Sequence, residues 1–279
     1  MMGATQPVGD LLRVWRQRRR MSQLDLALEA EVSTRHLSFV ESGRAQPSRQ
    51  MVLNLAERLE VPLRERNVLL VAAGFAPMFR ERALDDPALA SARKAVDLVL
   101  QGHEPCPALA VDRHWTMVAA NAAVARLVGG AAPALLEPPV NVLRLSLHPD
   151  GLGRRIANLP EWRGHILERL RRQVDISADP ALVALLEELR GYPAPPAGPR
   201  KAGSGADLAG VVVPLQLATD AGLLSLFSTT TVFGTPIDVT LSELALECFY
   251  PADAATAQAL RRLAEPQPPA GLQEQGEPA

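Results

Sequence analysis

Residues 22–48, SQLDLALEAEVSTRHLSFVESGRAQPS, confine the chain more tightly than any other stretch. Ser22 opens a helix: Ser22-Gln-Leu-Asp25 has the capping-box offset, with Asp25 where Glu or Gln is preferred. Ser33 opens a second helix, Thr34 to Glu41, and Ser42-Gly43 closes it with a C-cap glycine. Only the turn Ala30-Glu31-Val32 lies between them. Two short helices about so tight a turn, the second polar and arginine-bearing, have the layout of a helix-turn-helix, whose second helix enters the DNA major groove.

The side chains divide accordingly. Leu24, Ala27 and Leu28 are expected to supply the buried side of the first helix, with Ala27 small because the second approaches closely there, and Val32 to bury under the junction. On the second helix Leu37 and Val40, three apart, face inward. Thr34, Arg35, Ser38 and Phe39 are left outside. An arginine there binds O6 and N7 of guanine, and threonine or phenylalanine touches a thymine methyl. An ordinary solvated helix face would leave Phe39 unexplained. Gln23, at a helix start, is placed to hold a phosphate, and His36 reads as a phosphate or packing residue. Glu31 occupies the turn position where such modules usually carry Gly, because the chain there tends to positive φ. A non-Gly residue in that conformation costs about 1–2 kcal/mol, so Glu31 is expected to weaken the domain without forbidding the turn.

Three further helices complete the unit. The first starts at Gly9-Asp10 and carries an apolar stripe of Leu11, Leu12 and Trp15. Its other faces hold Arg13, Arg16, Arg18, Arg19 and Arg20, more arginines than the C-terminal macrodipole needs, so Arg18 and Arg19 are assigned to phosphate. Arg44 lies in the loop that ends at Ser48, which caps a fourth helix with Met51, Leu53, Leu55, Ala56 and Leu59 on its apolar faces. Val61-Pro62 breaks the chain, and a fifth helix runs over 63–73 to Gly74. Residues 1–80 carry 12 Arg and 8 acidic groups, whereas the rest of the 279-residue chain carries 17 basic and 23 acidic ones. A basic first quarter joined to an acidic remainder suits a small DNA-contacting part and a larger part that touches something else.

The remainder reads differently. Asp85-Asp86-Pro87 starts a helix over 88–100, which is a linker, a dimer helix or the first helix of the next domain. Two short extended pieces follow, 108–112 and 115–119, joined tightly at His114, and Asn121 caps a helix ended by Gly129-Gly130. Residues 141–147 are helical or extended and close in the turn 148–151. Helices are expected over 160–174 and 180–189, then a proline- and glycine-rich loop over 191–207. Strands over 211–217 and 223–232, with a third at 237–240 or 244–250, make an antiparallel meander. Asp253 caps a last helix to Leu263, and residues 266–279 form a disordered tail. Strand, turn, strand, helix at this size resembles the opening of a PAS-like sensor domain.

VSTRHLSFVESGRAQPS and VLNLAERLEVPLRERNVLLVAAGFAP together resemble the DNA-binding domain of the XRE group of bacterial regulators, and more narrowly MmyB-like transcriptional regulators. ANAAVARL, LHPDGL, FGTPIDVTLSEL and FYPADAATAQALRRL are similar to the ligand-binding domain of the same family. The resemblance implies an all-α, five-helix, repressor-like DNA-binding domain over 8–80 and an α+β PAS-like ligand-binding domain over 105–265; the segment 81–104 between them is read as a linker helix. It implies DNA contact from Gln23, Ser33, Thr34, Arg35 and Phe39, to which His36, Ser38, Arg44, Arg18 and Arg19 are added from the residues themselves. It also implies an apolar pocket for a lipophilic ligand such as a fatty acid. Candidate lining residues are Trp115, Val118, Trp162, Ile166, Leu224, Leu226 and Phe227.

Other classes find little support. Cys106 and Cys248 make neither a disulfide framework nor a metal site by themselves, and His103, His114, His148 and His165 lack the pairing of a metal cluster. No G-x-S-x-G, P-loop or G-x-G-x-x-G stands in the chain, so no enzyme, metal or cofactor is expected. No apolar run approaches the ~18 residues of a membrane span, and a soluble, cytoplasmic protein is expected. The expectation is a homodimeric, sequence-specific transcription regulator on double-stranded operator DNA, modulated by a small lipophilic ligand. The alternative keeps the DNA-binding domain and makes the second domain a dimerisation or protein-partner module without a small ligand.

Overall fold

The computed structural model describes residues 6–177, 179–193, 212–233 and 238–265. Five helices form the first domain: α1 (Val8–Arg18), α2 (Gln23–Glu29), α3 (Thr34–Glu41), α4 (Arg49–Arg58) and α5 (Leu63–Ala72). Three of them start behind a serine that satisfies an otherwise orphaned backbone N–H. Ser22 Oγ accepts from Asp25 at 3.1 Å, Ser33 Oγ from His36 at 3.1 Å and Ser48 Oγ from Met51 at 3.2 Å. Asp25 answers with a bond from the Ser22 N–H at 2.8 Å, completing the capping box. The shared core holds Leu12, Trp15, Leu26, Leu37, Val40, Leu55 and Leu69.

The inward face of α2 differs from the expected one. Leu26 and Ala27 are buried, while Leu24 is 55 % exposed and Leu28 70 %. The stripe Leu26, Ala27 and Ala30 follows helical spacing onto α3 and α4; Leu24 and Leu28, four apart, run up the opposite side. Glu31 takes φ +56° in the turn, as its position implied. Gly9 is required for a different reason, since a Cβ there would stand 2.4 Å from the Val40 carbonyl oxygen. The α1 backbone touches the end of α3 directly.

Beyond α5 the chain doubles back. Asn67 fixes it by donating to the Phe79 carbonyl at 2.7 Å and accepting from Met78 and Phe79 N–H, each at 3.0 Å. Helix α6 (Ala90–Gly102) then sets Val96 and Leu100 against Ala108, Ala110, Leu246 and Cys248. The segment expected as a linker helix therefore lies packed on the sheet of the second domain.

Among the described residues that sheet has five strands, β1 (Ala108–Val111), β2 (Met117–Ala120), β3 (Leu215–Thr219), β4 (Gly222–Val232) and β5 (Ala245–Pro251). Their order is β2-β1-β5-β4-β3, and every neighbouring pair is antiparallel. Strand β1 is buried on both sides because α6 covers one face and the main core lies against the other. The core face meets α7 (Ala122–Val128), α9 (Val142–Leu147), α10 (Leu159–Ser177) and α11 (Pro180–Arg190), with the short α8 (Pro133–Leu136) at its edge. The last helix, α13 (Ala254–Ala264), packs on β4, β5 and α7. This is an α+β PAS-like domain.

Strand boundaries correct the reading in two places and decide between open alternatives in a third. Trp115 was expected to open the second strand; it adopts φ +67°, which no strand accommodates, and β2 begins at Met117. Of the strand expected over 211–217, residue 211 lies outside the described residues and 212–214 are not extended into the sheet; the strand begins at Leu215, where the Asn158 side chain bonds the Pro214 carbonyl and the Gln216 N–H on either side. Of the two sites considered for the next strand, 244–250 forms β5. The other yields the helix α12 (Val239–Ser242), capped by Asp238, whose carboxylate accepts from Thr240 N–H at 2.9 Å. The expected loop over 191–207 lies outside the described residues from 194 onward, as does the expected tail over 266–279.

Candidate DNA-reading surface and ligand cavity

Helix α3 offers Thr34, Arg35, Ser38 and Phe39 on its outer side. The Arg35 guanidinium lies 5.4 Å from the Phe39 ring centre and that of Arg44 lies 6.0 Å away. Two cations at one ring account for a half-exposed phenylalanine, since each gains from the ring quadrupole. Ser33 is the cap of this helix, and half-buried His36 donates its N–H to that cap.

Glu41, 2 % exposed, holds α3 from behind. It accepts from Arg16 Nε at 2.7 Å, Arg16 Nη2 at 2.8 Å and Gln23 Nε2 at 2.8 Å, and its carbonyl accepts from Arg13 at 2.7 Å. Burial pushes the Glu41 carboxyl up. The bonds from Arg16 and Gln23, with the charges of Arg16 and Arg13, outweigh it and hold the group below the usual carboxylate range. Gln23, expected at a phosphate, thus points its amide into this network.

The arginines of α1 are redistributed in the same way. Arg19 donates to the Leu59 and Glu60 carbonyls at 2.8 and 3.0 Å, closing the end of α4. Arg18 lies over Trp15 and reaches the Ser177 carbonyl of α10 at 3.5 Å. Neither occupies the surface that presents Arg35. The signal for the internal role was legible: Leu37, Val40 and Glu41 share one face by i, i+3, i+4 spacing, so the acid had to meet a buried cation.

Between the sheet and α10 lies an apolar cavity of about 110 Å³. Of the seven candidate lining residues, Trp115, Trp162, Ile166 and Leu226 lie along it. The other three candidates do not. Val118 is 37 % exposed, because β2 alternates and it is Met117 that turns inward. Phe227 lies on the opposite face of β4, stacked on Tyr250 at 5.4 Å, and Leu224 is packed into the solid core. Leu109, Val142, Leu217 and Phe249 are among the further apolar residues of its wall.

One end of the cavity is polar, and sequence reasoning missed it. Arg169 on α10 and Glu247 on β5 pair through two bonds, Nη1 to Oε2 at 3.1 Å and Nη2 to Oε1 at 2.5 Å. Thr230 accepts from Arg169 at 2.6 Å and donates to Glu247 at 2.8 Å. The guanidinium lies 4.5 Å from the Trp115 ring centre, and Trp115 Nε1 donates to Gln173 at 2.8 Å. These contacts hold Trp115 in its left-handed backbone, a conformation that persists only when the surroundings over-determine it.

A wider cleft of about 1760 Å³ separates this end from the first domain, and Trp115, His165 and Arg169 line both spaces. Across the cleft Arg64 bonds Glu243 at 2.8 and 3.0 Å and also pairs with Glu81. Arg82 bonds the fully buried Asp238 at 3.0 Å, and the Val239 N–H donates to the Arg80 carbonyl at 2.8 Å. Among the described residues no cluster of His, Cys, Asp or Glu has the makings of a metal site, and no helix is long and apolar enough to cross a membrane.

A helix-turn-helix unit joined to a PAS-like domain that encloses an apolar cavity defines a transcription regulator with a ligand-binding domain. Residues 92–263 match the family model of the MmyB-like transcription regulator ligand binding domain, and residues 7–69 match that of a helix-turn-helix domain. The chain belongs to the MmyB-like transcription regulators. No curated protein matches it. Among solved structures, that of an RNA-binding Light-Oxygen-Voltage receptor is similar at 15 % identity and a TM-score of 0.24, over 94 % of this chain. The chain spans 65 % of the length of that protein.

Proposed function

We propose that this regulator reads an operator with Thr34, Arg35, Ser38 and Phe39, with Arg44 on the phosphate backbone, and that a small lipophilic ligand in the second domain sets how it does so. The protein acts as a homodimer on half-sites about one helical turn apart. A fatty acid is the ligand type that the family resemblance implies.

The observation that carries this reading is the shared wall: Trp115, His165 and Arg169 belong both to the apolar cavity and to the cleft beneath the DNA-binding domain. A ligand acts on an equilibrium only through differential affinity for two arrangements. At about 110 Å³ the cavity is smaller than the roughly 300–1,000 Å³ of a usual ligand site. An alkyl chain of medium length therefore requires its lining to move. Strand β5 carries such movement from Glu247, in the cavity, to Glu243, just before the strand and bonded to Arg64. Footprinting of the operator with and without a medium-chain lipid tests the reading. Protection that is the same in both conditions would overturn the ligand's part in it.

The interaction-only reading of the second domain has one observation in its favour. Leu98, 60 % exposed, and Val99 stand on the outer side of α6, where a second copy would find apolar surface. Native mass spectrometry with lipid extraction separates the two, because a dimer that never carries a small molecule fits only the interaction module.

A further inference from the structure

The polar end of the cavity carries a statement about the head group of the ligand. Glu247 lies on the inward face of β5, between Leu246 and Cys248, which face α6. It is 4 % exposed and occupies both Nη atoms of Arg169. Among the described residues that line the cavity, Arg169 is the one guanidinium, and it is thus already matched by one carboxylate. Burial and the charges of the neighbouring Arg169 and Arg172 outweigh the charge of Glu247 and push the His165 imidazole pKa down, towards the neutral form. Ser146, Ser228 and His165 bring hydroxyl and imidazole groups to the lining. Ser146 Oγ accepts from Trp162 Nε1 at 3.0 Å, which leaves its own O–H to donate.

We propose that Glu247 makes this cavity select an uncharged head group, an alcohol or ester on a medium-length alkyl chain, over a carboxylate, so that in this chain such a ligand stands in place of the fatty acid that the family resemblance implies. This rests on the reading of the cavity as a ligand site. A second carboxylate placed beside Glu247 would share one guanidinium with it, and two acids at one site cannot both stay ionised without penalty. An alcohol or ester meets donors and acceptors and leaves the ion pair intact. Glu247 is here a specificity residue, and Arg169 is held away from the role of a carboxylate receptor.

Titration calorimetry of the full chain with octan-1-ol, methyl octanoate and octanoate at pH 7.5 tests it. The alcohol and the ester should bind at least about tenfold more tightly than octanoate, the equivalent of one pKa unit of head-group discrimination. Glu247→Gln frees Arg169, so octanoate should gain about tenfold there while the alcohol changes little. Octanoate binding to the wild-type chain as tightly as the alcohol would overturn the proposal, as would an unchanged ratio in a folded Glu247→Gln variant. The wild-type ratio decides the matter even if that variant fails to fold. Failure of all three to bind would instead sink the ligand-site reading on which the proposal rests.

Discussion

Arg64 of α5 and Glu243 at the end of α12 join the two domains through paired hydrogen bonds of 2.8 and 3.0 Å. The bond to Glu243 is foremost in raising the Arg64 pKa beyond its ordinary value, so the guanidinium stays charged throughout. Paired bonds of this kind fix orientation as well as distance. They place the DNA-binding unit in one register against the segment that leads into β5.

A double-mutant cycle measures that pair. Arg64→Ala and Glu243→Ala should each loosen the domains, with a coupling energy of roughly 0.5–3 kcal/mol between them. Thermal unfolding of the four proteins gives the value. Strictly additive losses would mean that the pair holds nothing together.

On the DNA side, Arg35→Ala should cost about 1–3 kcal/mol of operator affinity and relax the preference at one base position, as loss of a paired guanine contact does. Arg44→Ala should weaken all sequences alike and reduce the salt slope by about one. Competition footprinting over a set of operator variants reads both. Unchanged sequence choice in Arg35→Ala would remove that residue from base readout.

Acid should unfold the first domain through Glu41. Its folded pKa lies below the unfolded value, so its contribution is complete above the ordinary carboxylate range and is lost as pH falls through the folded value. Melts between neutral pH and acid should show a steep loss of stability. Glu41→Gln should cost roughly 3–5 kcal/mol at neutral pH, because Arg16 stays buried without its partner charge, and should flatten the acid slope. A slope as steep as in the wild type would move the acid sensitivity to other carboxylates. Asp179 is the first to consider: burial pushes it up, but the His114 hydrogen bond and the nearby charges hold it low.

Two backbone positions predict opposite outcomes. Glu31→Gly relieves a positive φ and should stabilise the chain by roughly 1 kcal/mol without altering operator choice. Gly9→Ala drives a methyl group into the Val40 carbonyl and should destabilise it by about 1–3 kcal/mol. Denaturant melts settle both signs, and a lower midpoint for Glu31→Gly would mean that the turn tolerates the side chain for another reason.

The sequence by itself determined what rests on near neighbours. The serine caps act over three residues, and the positive φ at Glu31 follows from the turn it occupies. The apolar repeat of α3 leaves Phe39 outside as surely as it takes Leu37 in. Tertiary structure decided which of two plausible faces was buried and where charged groups found partners. On α2 leucines stand on both sides, and only packing against α3 and α4 selected Leu26 over Leu24 and Leu28. On β2 Val118 and Met117 are both apolar, and the pleat set by pairing with β1 turned Met117 inward. Arg18 and Arg19 read like Arg35 until the carbonyls of α4 and α10 stand beside them. The pair of Arg169 and Glu247 spans 78 residues of chain. No local spacing announces it, because a buried charge is partnered by whatever the fold brings near.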